Sequence, residues 1–239
     1  MLIEVALNGN RSRKEHAGIP QSPAELAAAA RDAVAAGASA VHMHVYNSAG
    51  AESLDAADVA AAAEAVRAAV PNTPFGVSTG AWIVNNTALR LEKVMAWGFL
   101  IPYVSINFNE EGAVDLARWV VSQGIGIEAG MGTEAAAKQF TRAGMANQCV
   151  RAMLEPEHQD LKETLAEVDK MEATLARVWI TTPRLVHGHN ATVWDMVREA
   201  KKRGWQTRIG LEDTLTLPDG TPARDNAALV AAARKIAQE

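Results

Sequence analysis

Residues 22–45 read SPAELAAAARDAVAAGASAVHMHV, one complete helix–turn–strand unit. Ser22 is placed as an N-cap, Pro23 at the first helical position and Glu25 in the first turn, so a helix starts here. Gly37 supplies the residue type that ends helices in the left-handed conformation. The apolar run from Ala38 to Val41 then predicts a buried strand over 39–45 carrying His42 and His44. Side chains alternate faces along a strand, so these two imidazoles share a face, with Cα atoms about 6–7 Å apart. Two imidazoles so placed, where a buried strand opens into a loop, suit one divalent metal ion.

The same unit recurs on both sides of this stretch. Strands are predicted over 3–7, 39–45, 75–78, 103–106, 125–128, 149–154, 184–186 and 206–209. Each is followed by a helix: 22–37, 55–70, 86–97, 111–123, 133–143, 157–176, 191–203 and 225–237. Strict alternation implies parallel strands, because each helix must carry the chain back to the starting edge. Eight such units in 239 residues match the size of a closed (β/α)8 barrel. An open doubly wound sheet is the competing arrangement. The even spacing and the lack of a Gly-x-Gly-x-x-Gly turn after the first strand count against it. The expected architecture is therefore α/β, a (β/α)8 TIM barrel forming a single domain over residues 1–239.

Composition narrows the function class. The chain is 49% hydrophobic and 21% charged, with a formal net charge of -5, which gives no drive toward nucleic acid or anionic membranes. One cysteine, Cys149, excludes an internal disulfide and fits a reducing cytoplasm. The opening MLIEVALNGN has no basic stretch followed by an apolar signal core, and no apolar run approaches the roughly 20 residues of a membrane span. A cytoplasmic protein with no membrane or nucleic-acid partner is the expectation. The alanine-rich helices and six tryptophans leave apolar surface to bury, which predicts a homo-oligomer.

Active sites of such barrels sit at the C-terminal ends of the strands. The polar residues expected there are Asn8, Gly9, Asn10 and Arg11; His42 and His44; Ser78, Thr79 and Gly80; Ser105 and Asn107; Glu128; Glu155; His187 and His189; and Arg208, Glu212 and Asp213. Read as strand residues, Arg208 and Glu212 share parity, with Gly210 between them. His42, His44 and Glu212 make a three-ligand set that suits Zn2+, with Fe2+ or Mn2+ as alternatives. His187-Gly188-His189 is a rival pair with the same spacing. His187 is expected to point into the mouth and touch substrate, and His189 to lie at or beyond the strand end. Arg208 needs a carboxylate partner or an anionic ligand. Two readings meet that need: an internal salt bridge that only holds the structure, or an Arg208–Asp213 pair holding a substrate carboxylate or tuning a base.

The segments VHMHV (41–45), VSTG (77–80), SIN (105–107) and RIGLEDTLTLPDGTPARDNAALV (208–230) resemble the β-keto acid cleavage enzyme family (BKACE), typified by 3-keto-5-aminohexanoate cleavage enzyme. The resemblance runs along nearly the whole chain. It implies a TIM barrel with Zn2+ held by His42, His44 and Glu212, and dimers or tetramers. It also implies a reaction in which a β-keto acid and acetyl-CoA, as co-substrate, give acetoacetate and a new CoA thioester. The Arg208–Asp213 dyad would promote deprotonation. Ser78 maps with Thr79 and Gly80 onto the substrate-binding serine loop, Ser78 being the catalytic candidate, and Ser105 with Asn107 onto the fourth-strand motif. Asn8, Arg11, Glu128 and His187 complete the expected substrate contacts.

Two stretches depart from the family. Asn8-Gly9-Asn10-Arg11 stands where members typically carry Thr-Gly-Ala-Glu, so a base replaces an acid. Phe108-Asn109-Glu110-Glu111 replaces a glycine-rich continuation. Arg11 with Arg208 favours a more acidic substrate than an amino-keto acid. The competing functions are a metal-dependent aldolase or hydrolase on the same barrel acting without CoA, and a metabolite-binding barrel without turnover.

Overall fold

The computed structural model describes residues 1–98 and 101–239. Eight parallel strands close into a barrel in chain order, β1 pairing with both β2 and β8. The strands are β1 (Ile3–Ala6), β2 (Ala40–Met43), β3 (Phe75–Ser78), β4 (Tyr103–Asn107), β5 (Gly126–Met131), β6 (Cys149–Leu154), β7 (Arg184–Val186) and β8 (Gln206–Ile209). The helices between and after them are α1 (Pro23–Ala36), α2 (Ala56–Ala69), α3 (Thr87–Met95), α4 (Ala113–Ser122), α5 (Glu134–Ala143), α6 (Leu161–Arg177), α7 (Val193–Arg203) and α8 (Asn226–Gln238). This is the (β/α)8 TIM barrel that the alternation predicts.

The quoted stretch folds for the reasons its residues give. Ser22 accepts from the Glu25 amide while Glu25 returns a bond to the Ser22 amide, a complete capping box. Leu26, Ala30 and Ala33, one face of α1, are buried. Gly37 closes the helix at φ 118°. The alanine tracts of α1 and α2 bury small side chains, so the two helices pack closely.

Strand alternation divides the core in two. Val5, Val41, Val77, Val104, Ile127 and Ile209 face the helices and form the apolar layer. The other parity faces inward, and it is polar. Glu4, His42, Ser78, Tyr103, Ser105, Glu128, Arg151 and Arg208 are all buried. Barrels of this type usually fill this space with branched apolar residues. Here Tyr103 fills the floor, and only a glycine neighbour permits it: a Cβ on Gly76 would lie 2.1 Å from the Tyr103 ring. Tyr103 donates to the Val41 carbonyl at 2.9 Å and also meets the Glu4 carboxylate.

Several predicted boundaries move. The sixth helix begins at Leu161, not 157, because Asp160 caps it by accepting from the Glu163 amide at 3.0 Å. That leaves Glu155 and Glu157 on a loop at the barrel mouth. The seventh helix begins at Val193, after a single 3-10 turn over Asn190–Thr192. The second strand ends at Met43, so His44 lies just beyond it. The eighth strand keeps its predicted bounds and ends at Ile209, so Glu212 lies on the loop beyond it. Among the described residues, no helix is long and apolar enough to cross a membrane.

Candidate metal centre and active site

One cavity of 530 Å³ opens at the C-terminal ends of the strands. Its wall carries His42 from β2, His44 from the strand's exit, and Glu212 from the loop after β8. His42 Nε2 lies 3.7 Å from Glu212 Oε2, and His44 Nε2 3.6 Å from Glu212 Oε1. The two imidazole rings meet edge to face at 5.3 Å. One ligand atom from each of the three lies within 4.8 Å of the other two. The side chains converge as the spacing predicts.

Glu212 reaches this point by a turn, which corrects the strand-parity reading. The amides of Asp213 and Thr214 both bond the Gly210 carbonyl, at 2.9 and 3.0 Å, curling the chain after β8. Asn226 staples that turn to β1. It accepts from the Leu211 amide at 2.8 Å and donates to the Leu7 carbonyl at 2.9 Å. Gly9 clears the path, since a Cβ there would fall 2.4 Å from Glu212 Cγ.

The electrostatics suit a cation. Arg208, His44 and His42 outweigh the cost of burial and hold the Glu212 carboxyl well below its ordinary range. Burial drives His42 down to about 4, so its ring is neutral and has a lone pair to give. Burial also opposes charge on His44, but Glu212 and Glu52 outweigh it and raise the ring to about 9. The Glu212 Oε2 atom is buried with no hydrogen-bond partner. A carboxylate whose two oxygens each face an imidazole nitrogen, one oxygen buried and unpartnered, calls for a proton or a cation in the gap, and the donor set fits Zn2+ or a similar divalent ion.

Each imidazole has a carboxyl group behind it. Glu52 Oε1 lies 2.5 Å from His44 Nδ1, leaving Nε2 to face Glu212. Trp82 donates to the other Glu52 oxygen at 2.9 Å and stacks on the His44 ring at 5.9 Å. Glu52 arrives by a hairpin after β2, whose chain folds back through the Tyr46–Glu52 bridge and the Ser53 amide to the Val45 carbonyl. Such partners fix the tautomer and ring direction of a ligand. Glu52→Gln is expected to weaken Zn2+ binding about 10–100-fold in a competition titration against a chromogenic chelator. Unchanged affinity would contradict that role.

Glu128 lies beneath His42, its Oε2 3.7 Å from His42 Nδ1. It belongs to a buried cluster that the sequence reading missed. Arg151 Nη1 sits 3.1 Å from Glu4 and 3.4 Å from Glu128, with its guanidinium carbon 5.2 Å from the Tyr103 ring centroid. Burial and the neighbouring Glu4 push the Glu128 carboxyl well up, so it is neutral. Burial opposes the charge on Glu4, but Arg151 and the hydrogen bond from Glu128 outweigh it and keep Glu4 ionised. The alternation of Glu4 with Ile3 and Val5 was the available signal for an inward acid.

Beside Glu212, Arg208 Nη2 lies 2.7 Å from Asp213 Oδ1 and 2.9 Å from Glu212 Oε1. Ser78, Ser105, Asn107 and Arg11 also line the cavity. Arg11 donates to the Glu212 carbonyl at 3.0 Å and to Asn190 Oδ1 at 2.6 Å, beside Glu15 at 3.4 Å.

Six expected site residues lie behind the wall, not on it. Asn8 is spent bridging the Pro20 and His44 backbones. The Thr79 hydroxyl donates to the Ser105 carbonyl at 2.6 Å, and Gly80 is screened by the Trp82 ring. Glu128 is sealed beneath His42. Asp213 is buried behind Arg208, and His187 is fully buried between Glu155 and Asp213. In this structure Asn8, Thr79, Gly80, Glu128 and His187 support the cavity wall from behind.

Glu155, at the mouth, is raised to about 7 by burial, against the pull of Arg208 and His189. The folded chain therefore binds a proton there that the unfolded chain releases near 4.5. Stability falls as pH rises through that window, and the penalty is complete above about 7. Chelator-stripped protein is expected to lose about 2–3 kcal/mol between pH 5 and 8 relative to Glu155→Gln, by urea unfolding. Parallel pH profiles for the two proteins would contradict this.

The fold and this site define the class: a (β/α)8 barrel with a two-imidazole, one-carboxylate centre at its catalytic rim. Residues 1–239 match the family model for beta-keto acid cleavage enzyme, and the chain belongs to that family. No curated protein matches it in sequence. Among solved structures it is similar to the binary complex of ObcA with oxaloacetate, at TM-score 0.71 and 15% identity, covering 92% of this chain and 66% of that one. It is similar at the same TM-score and identity to the ternary complex of ObcA with C4-CoA adduct and oxalate, covering 91% and 63%. The N-acetylmannosamine-6-phosphate 2-epimerase from Clostridium perfringens aligns at TM-score 0.59 and 10% identity, over 89% of this chain and 87% of that one. The chain thus spans just under two thirds of the ObcA chains it matches.

Proposed function

We propose that this protein is a metal-dependent β-keto acid cleavage enzyme that transfers CoA from acetyl-CoA to the acyl part of a dicarboxylic β-keto acid. The convergence of His42, His44 and Glu212 at the rim of a family barrel is the observation that carries the reading. These three would hold Zn2+, with Fe2+ or Mn2+ as less favoured alternatives. A divalent ion there, when bound, supplies Lewis-acid polarisation of the substrate ketone.

The chain's own residues account for the rest. Arg208 presents a guanidinium whose charge is balanced and whose direction is fixed by Asp213 and Glu212. It stabilises the negative charge that develops as the substrate's α-carbon loses its proton, which passes to the Asp213 carboxylate, whose Oδ2 has no hydrogen-bond partner. This is the role proposed for the Arg208–Asp213 dyad. The new carbanion attacks the thioester carbonyl of acetyl-CoA, and the Ser78 hydroxyl donates to the oxyanion formed there. The oxyanion collapses by breaking the acetyl C–S bond and frees CoA thiolate. The thiolate adds to the substrate's C3 ketone, and the C2–C3 bond breaks. The acyl fragment leaves as its CoA thioester, and the acetoacetate carbanion takes back a proton at C2. Ser105 and Asn107 position the substrate along the same wall, and holding both reactants in one cavity lowers the entropic barrier.

Arg11 supports a substrate with a second carboxylate. It stands on the cavity wall beside its counter-charge Glu15, which also lines the cavity, is half-exposed and lies 3.4 Å away. ObcA, a fold neighbour, is described in complex with oxaloacetate, which is a dicarboxylic β-keto acid. Mass spectrometry of CoA thioesters formed from acetyl-CoA across a β-keto acid panel tests the proposal. New thioesters are expected, with dicarboxylic substrates preferred over amino-bearing ones. Cleavage without any new thioester would favour the CoA-independent aldolase or hydrolase.

A further inference from the structure

The barrel mouth holds two histidine–glutamate clusters. Besides His42, His44 and Glu212, the residues Glu155, His187 and His189 each bring one ligand atom to within 4.8 Å of the others. The second cluster mirrors the first in composition: two histidines at i,i+2 leaving a strand, β7 in this case, and one carboxylate from a neighbouring loop. Its rings also meet edge to face, at 4.9 Å.

Hydrogen bonding prepares this cluster for a cation. His187 Nδ1 lies 3.3 Å from the Gly188 carbonyl and 3.6 Å from Asp213 Oδ1, both acceptors. A ring proton on Nδ1 is met by these acceptors, and that tautomer directs the Nε2 lone pair at Glu155 Oε2, 3.3 Å away. In that tautomer two acceptors face each other across the gap, a place for a proton or a cation. The Nδ1 contacts to a carboxylate and a carbonyl are the arrangement that orients histidine ligands. Burial and the charge of Arg208 keep His187 neutral, as a ligand must be.

The cluster is also accessible. Glu155 and His189 line the cavity while His187 is fixed in the core, so an ion can enter from the mouth and meet one rigid ligand and two at the surface. The neighbouring cation Arg208 is already matched by Asp213 and Glu212.

We infer that Glu155, His187 and His189 form a second divalent-cation site, for Zn2+ or Co2+, facing the same cavity as the first. The inference goes beyond the proposed function, which needs only the first site. The experiment counts ions. Chelator-stripped protein is titrated with Co2+ alone, followed by visible absorption, and metal per chain is measured after desalting. Wild type is expected to retain two equivalents. Glu155→Gln and His189→Ala, neither of which removes a fully buried side chain, are each expected to retain one. Glu212→Gln is also expected to retain one, and Glu155→Gln/Glu212→Gln none. The inference is overturned if wild type saturates at one equivalent that Glu212→Gln removes, which leaves the proposed function standing with a proton in the second gap. It is overturned as well if both equivalents survive in Glu155→Gln and His189→Ala.

Discussion

Glu212→Gln is expected to leave the barrel folded while removing the metal ion held with His42 and His44 and nearly all turnover. The loss should reach at least ~10³ in kcat/KM, because Lewis-acid stabilisation is worth several kcal/mol and each 1.36 kcal/mol is tenfold. The substitution keeps the side chain's size and leaves Arg208 its Asp213 partner at 2.7 Å, so lost packing does not explain the effect. His42→Ala should behave alike, although it also opens a hole above Glu128. Metal analysis, thermal unfolding and steady-state kinetics on the same preparations check this. Turnover within tenfold of wild type would contradict a role for the metal centre.

The second large effect is on stability. Arg151→Met is expected to cost about 3–5 kcal/mol, because it strands the ionised Glu4 among buried groups with its main counter-charge gone. For a chain of this size that corresponds to a fall in Tm on the order of 10 °C. Glu128→Gln should be close to neutral, within about 1 kcal/mol, since Glu128 is already uncharged in the fold. Pairing Arg151→Met with Glu4→Gln should recover most of the loss. Equal destabilisation by Arg151→Met and Glu128→Gln would contradict this assignment of charge.

These two predictions rest on features of unequal visibility in the sequence. The barrel was legible because each βα unit carries local signals, such as the Ser22-Pro23-Ala24-Glu25 start and the Gly37 stop, that tertiary packing reinforces. The convergence of His42, His44 and Glu212 was legible too, but for Glu212 the expected cause was wrong. Strand parity was invoked, whereas a turn closed on the Gly210 carbonyl and stapled by Asn226 delivers the carboxylate. Glu52 was not legible. Its position against His44 depends on a hairpin whose return path is set by the turn at Asn47 and the Tyr46–Glu52 bridge.

The interior cluster of Glu4, Glu128 and Arg151 was half legible. Period-two alternation marks each as inward, but nothing local reveals that three separate strands bring them to one point. The same limit explains Asn8, Thr79 and His187. Position at a strand's end was legible. Whether the side chain faces the cavity or turns back to hold the backbone depends on neighbours distant in sequence.

The central claim is that this site exchanges acyl groups between a β-keto acid and acetyl-CoA. The most direct measurement uses acetyl-CoA carrying 13C in both acetyl carbons, with an unlabelled dicarboxylic β-keto acid. The account predicts that the label appears in carbons 3 and 4 of acetoacetate and that the new CoA thioester is unlabelled. Label found in free acetate, with no new thioester and no labelled acetoacetate, would contradict it.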